Sequence, residues 1–202
     1  MDKKFTEQQE KYLNFVIPYR MQSVDIARVA LEYVLKRDEP EKMELFFGGK
    51  KFADGLSTGW TNPAIEIGII HARALLDFLG LKVQRKTGGK KLGVRGDGPS
   101  HDDILIENFG LEKVSVDQAL ARYEGSGAEA EKAIAYTIHT ANKGVAHMTT
   151  EDLVDHDQLR LYEITTRGVN ALVSGFLYKR LGEEIPDYRI PVVARIPPTT
   201  TP

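Results

Sequence analysis

Apolar residues recur at steps of three and four positions along the first part of the chain. This pattern runs from about Thr6 to Arg37 and predicts a helix with one buried stripe. Pro18 lies inside the segment, and because proline has no N–H and crowds the preceding turn, we expect a kink or a break there. The stripe consists of Tyr12, Phe15, Val16, Tyr19, Val24, Ala27, Leu31, Val34 and Leu35.

A second helix is predicted from Pro63 to Leu79. Asn62 is a good N-cap, proline suits the first helical position, and Gly80 ends the segment. Apolar residues almost surround this helix, so we expect it to be central.

Four more helices are predicted in the second half of the chain. Three of them begin at a Ser or Asp with an acid or amide three residues later, as in a capping box. Five or six helices with no convincing series of strands predict an all-α bundle. The four segments are Ser100–Phe109, Ser115–Tyr123, Ala128–His147 and Asp155–Gly182.

Two long irregular loops separate these helices. Residues 38–61 contain many apolar side chains, so we expect this loop to fold back on the helices, with a short hairpin around Gly48-Gly49. Residues 82–95 contain six Lys or Arg, no acid and several glycines, which predicts a mobile basic loop. The basic residues are Lys82, Arg85, Lys86, Lys90, Lys91 and Arg95.

Composition narrows the class of protein further. The chain has 202 residues and a formal net charge of −2, so we expect one helical domain over residues 1–186 and an extended or disordered proline-rich tail over 187–202. The absence of cysteine excludes disulfides, Cys-ligated zinc and thiol nucleophiles. The sequence shows no secretory signal, and its longest apolar stretch contains charged residues, so we expect a cytoplasmic protein without a membrane span.

Polar side chains within apolar helices are the main chemical signal. Arg73 and Asp77 are four residues apart and can pair on one helical face, close to His71. The pair is interpreted either as an internal salt bridge that fixes helix register, or as an arginine held by the aspartate and presented to an anionic ligand. Asp102 and Asp103, after His101, are interpreted as carboxylates at a helix start, with metal binding as the alternative.

The stretch from Thr137 to Thr149 is the most unusual. His139, Lys143 and His147 follow at steps of four and can share one side of a helix. A lysine beside His147 favours a neutral imidazole that can act as a base, whereas a histidine bound to the last helical carbonyls is the structural alternative. No phosphate-binding loop, dinucleotide fingerprint, nucleophile elbow or zinc-protease motif is present, and we expect no cofactor and no metal.

Three segments together resemble a known group. The runs 70–78 (IHARALLDF), 102–104 (DDI) and 142–149 (NKGVAHMT) are similar to a pattern in bacterial helical proteins related to HEPN-type domains. These domains are helical bundles common in toxin–antitoxin and phage-defence systems, and the resemblance implies a homodimer. It spans about residues 62–182.

Active members of this group cleave RNA without metal through an Arg-x(4–6)-His motif. In that motif the histidine transfers a proton and the arginine stabilises charge on the phosphate. His147 matches the histidine, and Asn142 and Lys143 match the polar residues between, but no arginine stands near Ala141. The resemblance therefore implies a non-catalytic module that binds a protein or a nucleotide or RNA partner.

Two alternatives to a binding module remain open. One is a metal-independent ribonuclease in which Lys143, or Arg73 from a neighbouring helix, replaces the missing arginine beside His147. The other is a purely structural scaffold in which these polar residues only set helix register.

Overall fold

Helices make up most of the chain, and two small antiparallel sheets accompany them. The computed structural model describes residues 4–86, 89–96, 103–123, 125–145 and 156–187. Within these ranges the prediction of a mainly helical fold is confirmed. The expectation of an all-α chain is wrong, because both predicted loops contain a two-stranded hairpin.

The first helix continues through Pro18. It comprises α1 (Glu7–Lys11), a π-helical turn (Tyr12–Val16) and α2 (Ile17–Val34). Thr6 caps its start through a capping box with Gln9, whose backbone N–H donates to the Thr6 hydroxyl at 3.2 Å. The expected irregularity is the π turn, which ends directly before Ile17 and Pro18. A wider turn leaves room for the proline ring, so the helix does not end there.

The second long helix, α3 (Thr58–Phe78), begins earlier than the sequence predicts. Pro63 lies inside the helix instead of at its first position. The first turn is closed by backbone bonds from Trp60 and Thr61 to the Ser57 carbonyl, at 3.0 and 2.9 Å. Trp60 also packs on a core cluster, and this contact offsets the one hydrogen bond that Pro63 cannot make.

The first predicted loop contains the strands β1 (Lys42–Phe47) and β2 (Lys50–Leu56). The turn at Gly48-Gly49 is confirmed, and both glycines have the positive φ that a tight hairpin turn requires, at 55° and 78°. The prediction that the segment folds back on the helices is confirmed at Trp60, which packs on a core cluster. It is wrong for the hairpin, because β2 is exposed along its whole length and the segment forms two regular strands.

The second predicted loop, expected to be mobile and basic, contains the strands β3 (Leu81–Lys86) and β4 (Gly89–Val94). Its register pairs Leu81 with Val94 and Val83 with Leu92, which places four apolar residues on one face. Leu81 and Leu92 are buried in the main core cluster. This period-two apolar face, hidden among lysines and glycines, makes the segment a hairpin.

The segment after β4 is less helical than predicted. Residues 103–105 are extended and only a 3₁₀ turn, Ile106–Phe109, follows, so the predicted helix of residues 100–109 is wrong within the described part. The next helix, α4 (Val116–Leu120), does begin at the predicted capping box, in which the Ser115 hydroxyl accepts from Gln118 N–H at 3.2 Å.

The last helices largely follow the prediction. They are α5 (Gly127–Thr140), which continues as a π turn (Ala141–Val145), and α6 (His156–Val173), which continues through a second π turn (Ser174–Tyr178) into α7 (Lys179–Leu181). Gly182 ends this helix as predicted, with a φ of 69° that favours glycine. The predicted tail lies outside the described residues from 188 onward, and the single-domain boundary stays a prediction.

Helices α2, α3, α5 and α6 pack around a shared apolar core. The closest approach is between α2 and α3, at Gly68. A Cβ placed on this glycine would lie 2.1 Å from the Cβ of Ala27, so only glycine permits the observed separation. This pair of helices carries the candidate site described next.

Candidate anion-binding groove

A groove of about 270 Å³ lies where α2, α3 and the extended residues 103–105 meet. Its floor is apolar and includes Ile17, Leu75 and Phe78. Its polar lining comes from separate parts of the chain: Tyr12 and Arg20 from the first helix, Arg73 and Asp77 from α3, and Asp103 from the extended segment. Two arginines and two aspartates therefore line one small space.

Arg73 and Asp77 form the predicted pair, but the pair is not internal. Their charged atoms are 3.8 Å apart, and 42% and 36% of the side chains is exposed. An exposed ion pair at this distance contributes little to stability, of the order of 0.5 kcal/mol. The interpretation as a buried bridge that fixes register is therefore not favoured. Arg73 is therefore a partly exposed arginine that lines the groove.

Arg20 holds a different partner. Its Nη1 lies 3.2 Å from Nδ1 of His71. A guanidinium can only donate hydrogen bonds, so Nδ1 is the acceptor and the neutral imidazole carries its proton on Nε2. Burial of the ring, and secondly the positive charge of Arg20, lower the pKa of His71 below its usual value of 6.5. His71 is thus kept neutral and orients Arg20.

The ring of His71 is fixed from a second side. Tyr19 packs edge-on against the imidazole, with ring centroids 5.4 Å apart. No carboxylate pairs with Arg20 among the described residues. A half-buried guanidinium whose partner is a neutral ring is not neutralised by that partner, and Arg20 is one of the residues that line the groove.

The groove brings together three of the residues singled out from the sequence: Arg73, Asp77 and Asp103. His71 does not line the groove itself but contacts Arg20, which does. The prediction that Asp103 stands in the first turn of a helix is wrong, because residues 103–105 are extended. Asp102, and His101 before it, lie outside the described residues.

Asn142 and Lys143 lie elsewhere on the surface. Both are exposed on the π turn that follows α5. Ala141 and Val145 of this turn pack in a core cluster with Ala64 and Ile65, in the first half of α3. Arg73 stands nine residues after Ala64, which is about 13 Å along a helix axis. His147 lies outside the described residues, so the convergence of His147, Lys143 and Arg73 stays a prediction.

The sequence interpretation missed Arg20 and Tyr12. A signal for Arg20 was present: it stands three residues after Ile17 and four before Val24, so it falls on the buried stripe of its helix. Burial of a charged side chain on an apolar stripe costs free energy unless a partner pairs with it. Its partner, His71, is 51 positions away, and only the packing of α2 on α3 brings the two together.

A second cavity, of about 280 Å³, is lined by Arg28, Arg122 and Arg167. Two of these arginines are already neutralised: Arg28 bonds Asp25 and Glu32, and Arg167 bonds Glu163 at 2.8 Å. Arg28 and Arg167 therefore stabilise helix surfaces through ion pairs. Arg20, whose partner among the described residues is a neutral imidazole, is the arginine available to a ligand.

Within the ranges that the structure covers, no three His, Asp or Glu side chains are placed to hold a metal ion together. No helix in the same ranges combines the length and apolarity needed to cross a membrane. Comparisons of the chain with models of protein families, with curated proteins and with solved structures gave no match.

Proposed function

We propose that this protein is a non-catalytic, HEPN-like helical module, cytoplasmic and dimeric, that binds a phosphorylated ligand in the groove between α2 and α3. The ligand class is a nucleotide or the terminal nucleotide of an RNA. The proposal depends mainly on one observation: Arg20 and Arg73, from different helices, line the same groove. Within the described residues, Arg20 has a neutral imidazole as its partner, and Arg73 has only the long, exposed contact with Asp77 at 3.8 Å.

The chemistry of the lining suits such a ligand. Arginine presents planar pairs of donors that match phosphate oxygens, and such charge-assisted bonds are stronger than neutral ones. The carboxylates of Asp77 and Asp103 accept hydrogen bonds, so they suit the hydroxyls of a ribose or the amino group of a base. The volume of about 270 Å³ is near the lower end for small-molecule sites, which favours one nucleotide over a duplex.

Two features support binding over catalysis. The sequence lacks an arginine near Ala141, where active members of the resembled group carry one. In addition, His71 already accepts a bond at Nδ1 from Arg20 and is absent from the residues that line the groove. A metal-independent ribonuclease that uses His147, Lys143 and Arg73 remains the alternative, and a cleavage assay separates the two.

The scaffold alternative has less support. If Arg73 and Asp77 served only to set helix register, a short and shielded bridge would be expected. The pair is instead exposed and long, at 3.8 Å. Removal of Arg73 should therefore leave the melting temperature almost unchanged.

The test is a binding titration with 5′-monophosphate nucleosides and a short 5′-phosphorylated RNA, followed by calorimetry and fluorescence polarisation. Loss of one charged hydrogen bond costs about 1.5–3 kcal/mol, so Arg20→Ala and Arg73→Ala should each weaken binding by about 10-fold to 150-fold. The matched control is Arg167→Ala, since Arg167 lines the other cavity and pairs with Glu163. Unchanged affinity in both groove variants would refute the site.

The same RNA, incubated with a chelator and separated on a gel, tests the alternative. We expect it to stay intact. Cleavage without metal that disappears in His147→Ala would replace the binding proposal with the ribonuclease.

A further inference from the structure

Two large aromatic side chains on the first helix are largely exposed. Phe15, on the π turn, is 70% exposed, and Tyr19, on α2, is 60% exposed. The two residues are four positions apart, so their rings stand on one side of the helix, about 6 Å apart along its axis. Two adjacent rings in solvent indicate a surface that a ligand can cover.

These rings stand beside the candidate groove. Val16 and Arg20, each the next residue along the chain, both line it. Because neighbouring residues stand about 100° apart around a helix, Phe15 and Tyr19 form the exposed row next to the groove wall. His71 joins the two rows, since it packs against the Tyr19 ring with centroids 5.4 Å apart and accepts a hydrogen bond from Arg20.

A lysine continues the row of rings. Lys11 lies four residues before Phe15 and is exposed, and it forms no ion pair within the part of the chain that the structure describes. Lys11 and Arg20 therefore stand at the two ends of the pair of rings. Glu7, one turn further from the groove, has the opposite charge, so the cationic row ends at Lys11.

The combination of rings and cations identifies the kind of ligand. Single-stranded nucleic acid binds where a positively charged groove runs beside aromatic side chains on which successive bases stack. An apolar peptide or a second copy of the chain would cover the rings but would not pair with Lys11 and Arg20. A single strand places bases on the rings and phosphates on the cations.

We propose that Tyr19 and Phe15 form a stacking platform for the first two bases of a single-stranded RNA whose terminal phosphate binds in the groove. This inference rests on the function proposed above. The first base stacks on Tyr19, beside the groove arginine Arg20, and the second base stacks on Phe15. The phosphate that follows the second base reaches Lys11, so the platform takes a short strand of about three nucleotides.

The platform selects unpaired bases. The bases of a duplex are stacked on one another and expose only their edges, so their faces cannot lie on a protein ring, whereas unstacked bases can be splayed out onto aromatic side chains. Stacking depends on the flat face that every base has, so little sequence preference is expected.

A series of 5′-phosphorylated oligoadenylates, titrated in a calorimeter, tests the order of the contacts. Tyr19→Leu should weaken binding of every member, from adenosine 5′-monophosphate upward, by about 5-fold or more. Phe15→Leu should do so only from the dinucleotide upward. Lys11→Ala should weaken binding only from the trinucleotide upward, because the third phosphate is absent from the shorter ligands.

Ribose 5-phosphate separates the platform from the groove. It has no base, so neither leucine variant should change its affinity, and leucine at position 19 keeps an apolar side chain against His71. Arg73→Ala should weaken its binding, because Arg73 lines the groove.

Matched controls come from similar side chains elsewhere. Phe52→Leu removes a ring that is 72% exposed on β2, and Lys36→Ala removes an exposed lysine after α2. Both variants should bind the trinucleotide like the wild type. A 5′-phosphorylated duplex should bind more weakly than the single strand of the same sequence.

Two sets of results would overturn the inference. Equal affinity for one and three nucleotides, or wild-type affinity of both leucine variants for the trinucleotide, refutes the platform. The groove proposal survives that result if Arg73→Ala still weakens binding of ribose 5-phosphate. Failure of every phosphorylated ligand to bind refutes the groove and the platform together. Self-association that Phe15→Leu abolishes in sedimentation equilibrium would assign the rings to a second copy instead of RNA.

Discussion

The contact of Gly68 with Ala27 sets the distance between the two helices that carry the groove arginines. In Gly68→Ala, the new Cβ would lie 2.1 Å from the Cβ of Ala27 and 3.2 Å from the Ser23 carbonyl oxygen. Two methyl carbons need nearly 4 Å, so α2 and α3 must separate by more than 1 Å or rotate. Neither Ala27 nor Ser23 can move away alone, because both are buried in the interface.

The net effect combines two opposing terms. Alanine in place of glycine favours a helix by about 1 kcal/mol. Overpacking a dense core costs about 1–3 kcal/mol, and backbone contact places this case at the upper end. We expect a loss of about 2 kcal/mol in the free energy of unfolding, which lowers the melting temperature by about 4–8 °C for a chain of this size.

Urea unfolding followed by circular dichroism measures this change. Gly59→Ala is the control, since Gly59 lies in the same helix with nothing within 4 Å of its Cβ position, and it should not destabilise the fold. Ala27→Gly combined with Gly68→Ala should recover most of the loss, as expected for a direct contact. Wild-type stability of Gly68→Ala, or additive losses in the double variant, would refute the close-packing argument.

Two more predictions concern buried polar groups. The pKa of His71 is lowered in the folded state, so the unfolded chain binds the proton more readily. The contribution of the neutral imidazole to the free energy of unfolding is therefore complete above pH 6.5 and is lost as the pH falls below it. His71→Gln should reduce this loss of stability at acid pH in thermal melts recorded from about pH 7.5 to 5. Tyr178→Phe removes a buried hydrogen bond to the Leu13 carbonyl, 2.7 Å long, and should cost about 1–2 kcal/mol in urea unfolding, whereas Tyr19→Phe, at a ring 60% exposed, should cost almost nothing.

Local signals in the sequence located the helices well. The capping box at Ser115, the left-handed glycine at position 182 and the three- and four-residue apolar spacing all act within one or two turns of backbone. Such interactions are visible in a short window. For the same reason the turn at Gly48-Gly49 could be predicted without knowledge of its surroundings.

The two hairpins show where local reasoning stops. In β3 and β4 the lysines and glycines outnumber the apolar residues, and only the pairing of Val83 with Leu92 shows that the apolar ones share a face. Strand pairing depends on contacts between different parts of the chain, so a short alternating run surrounded by charges indicates a loop until its partner is known. The start of α3 at Thr58 is a similar case, because packing of Trp60 overrides the boundary that Asn62-Pro63 suggests.

The candidate site likewise combines features that short stretches of sequence predict with features that depend on packing between distant parts of the chain. Local spacing was enough to predict most of the helices and the facing pair of Arg73 and Asp77, because a spacing of four places both on one side of a helix. The exposure of this pair, the position of Asp103 beside it and the contact of Arg20 with His71 follow from the packing of α2, α3 and the extended segment. Burial and charge environment are properties of assembled surfaces, and these surfaces form only when distant parts of the chain pack together.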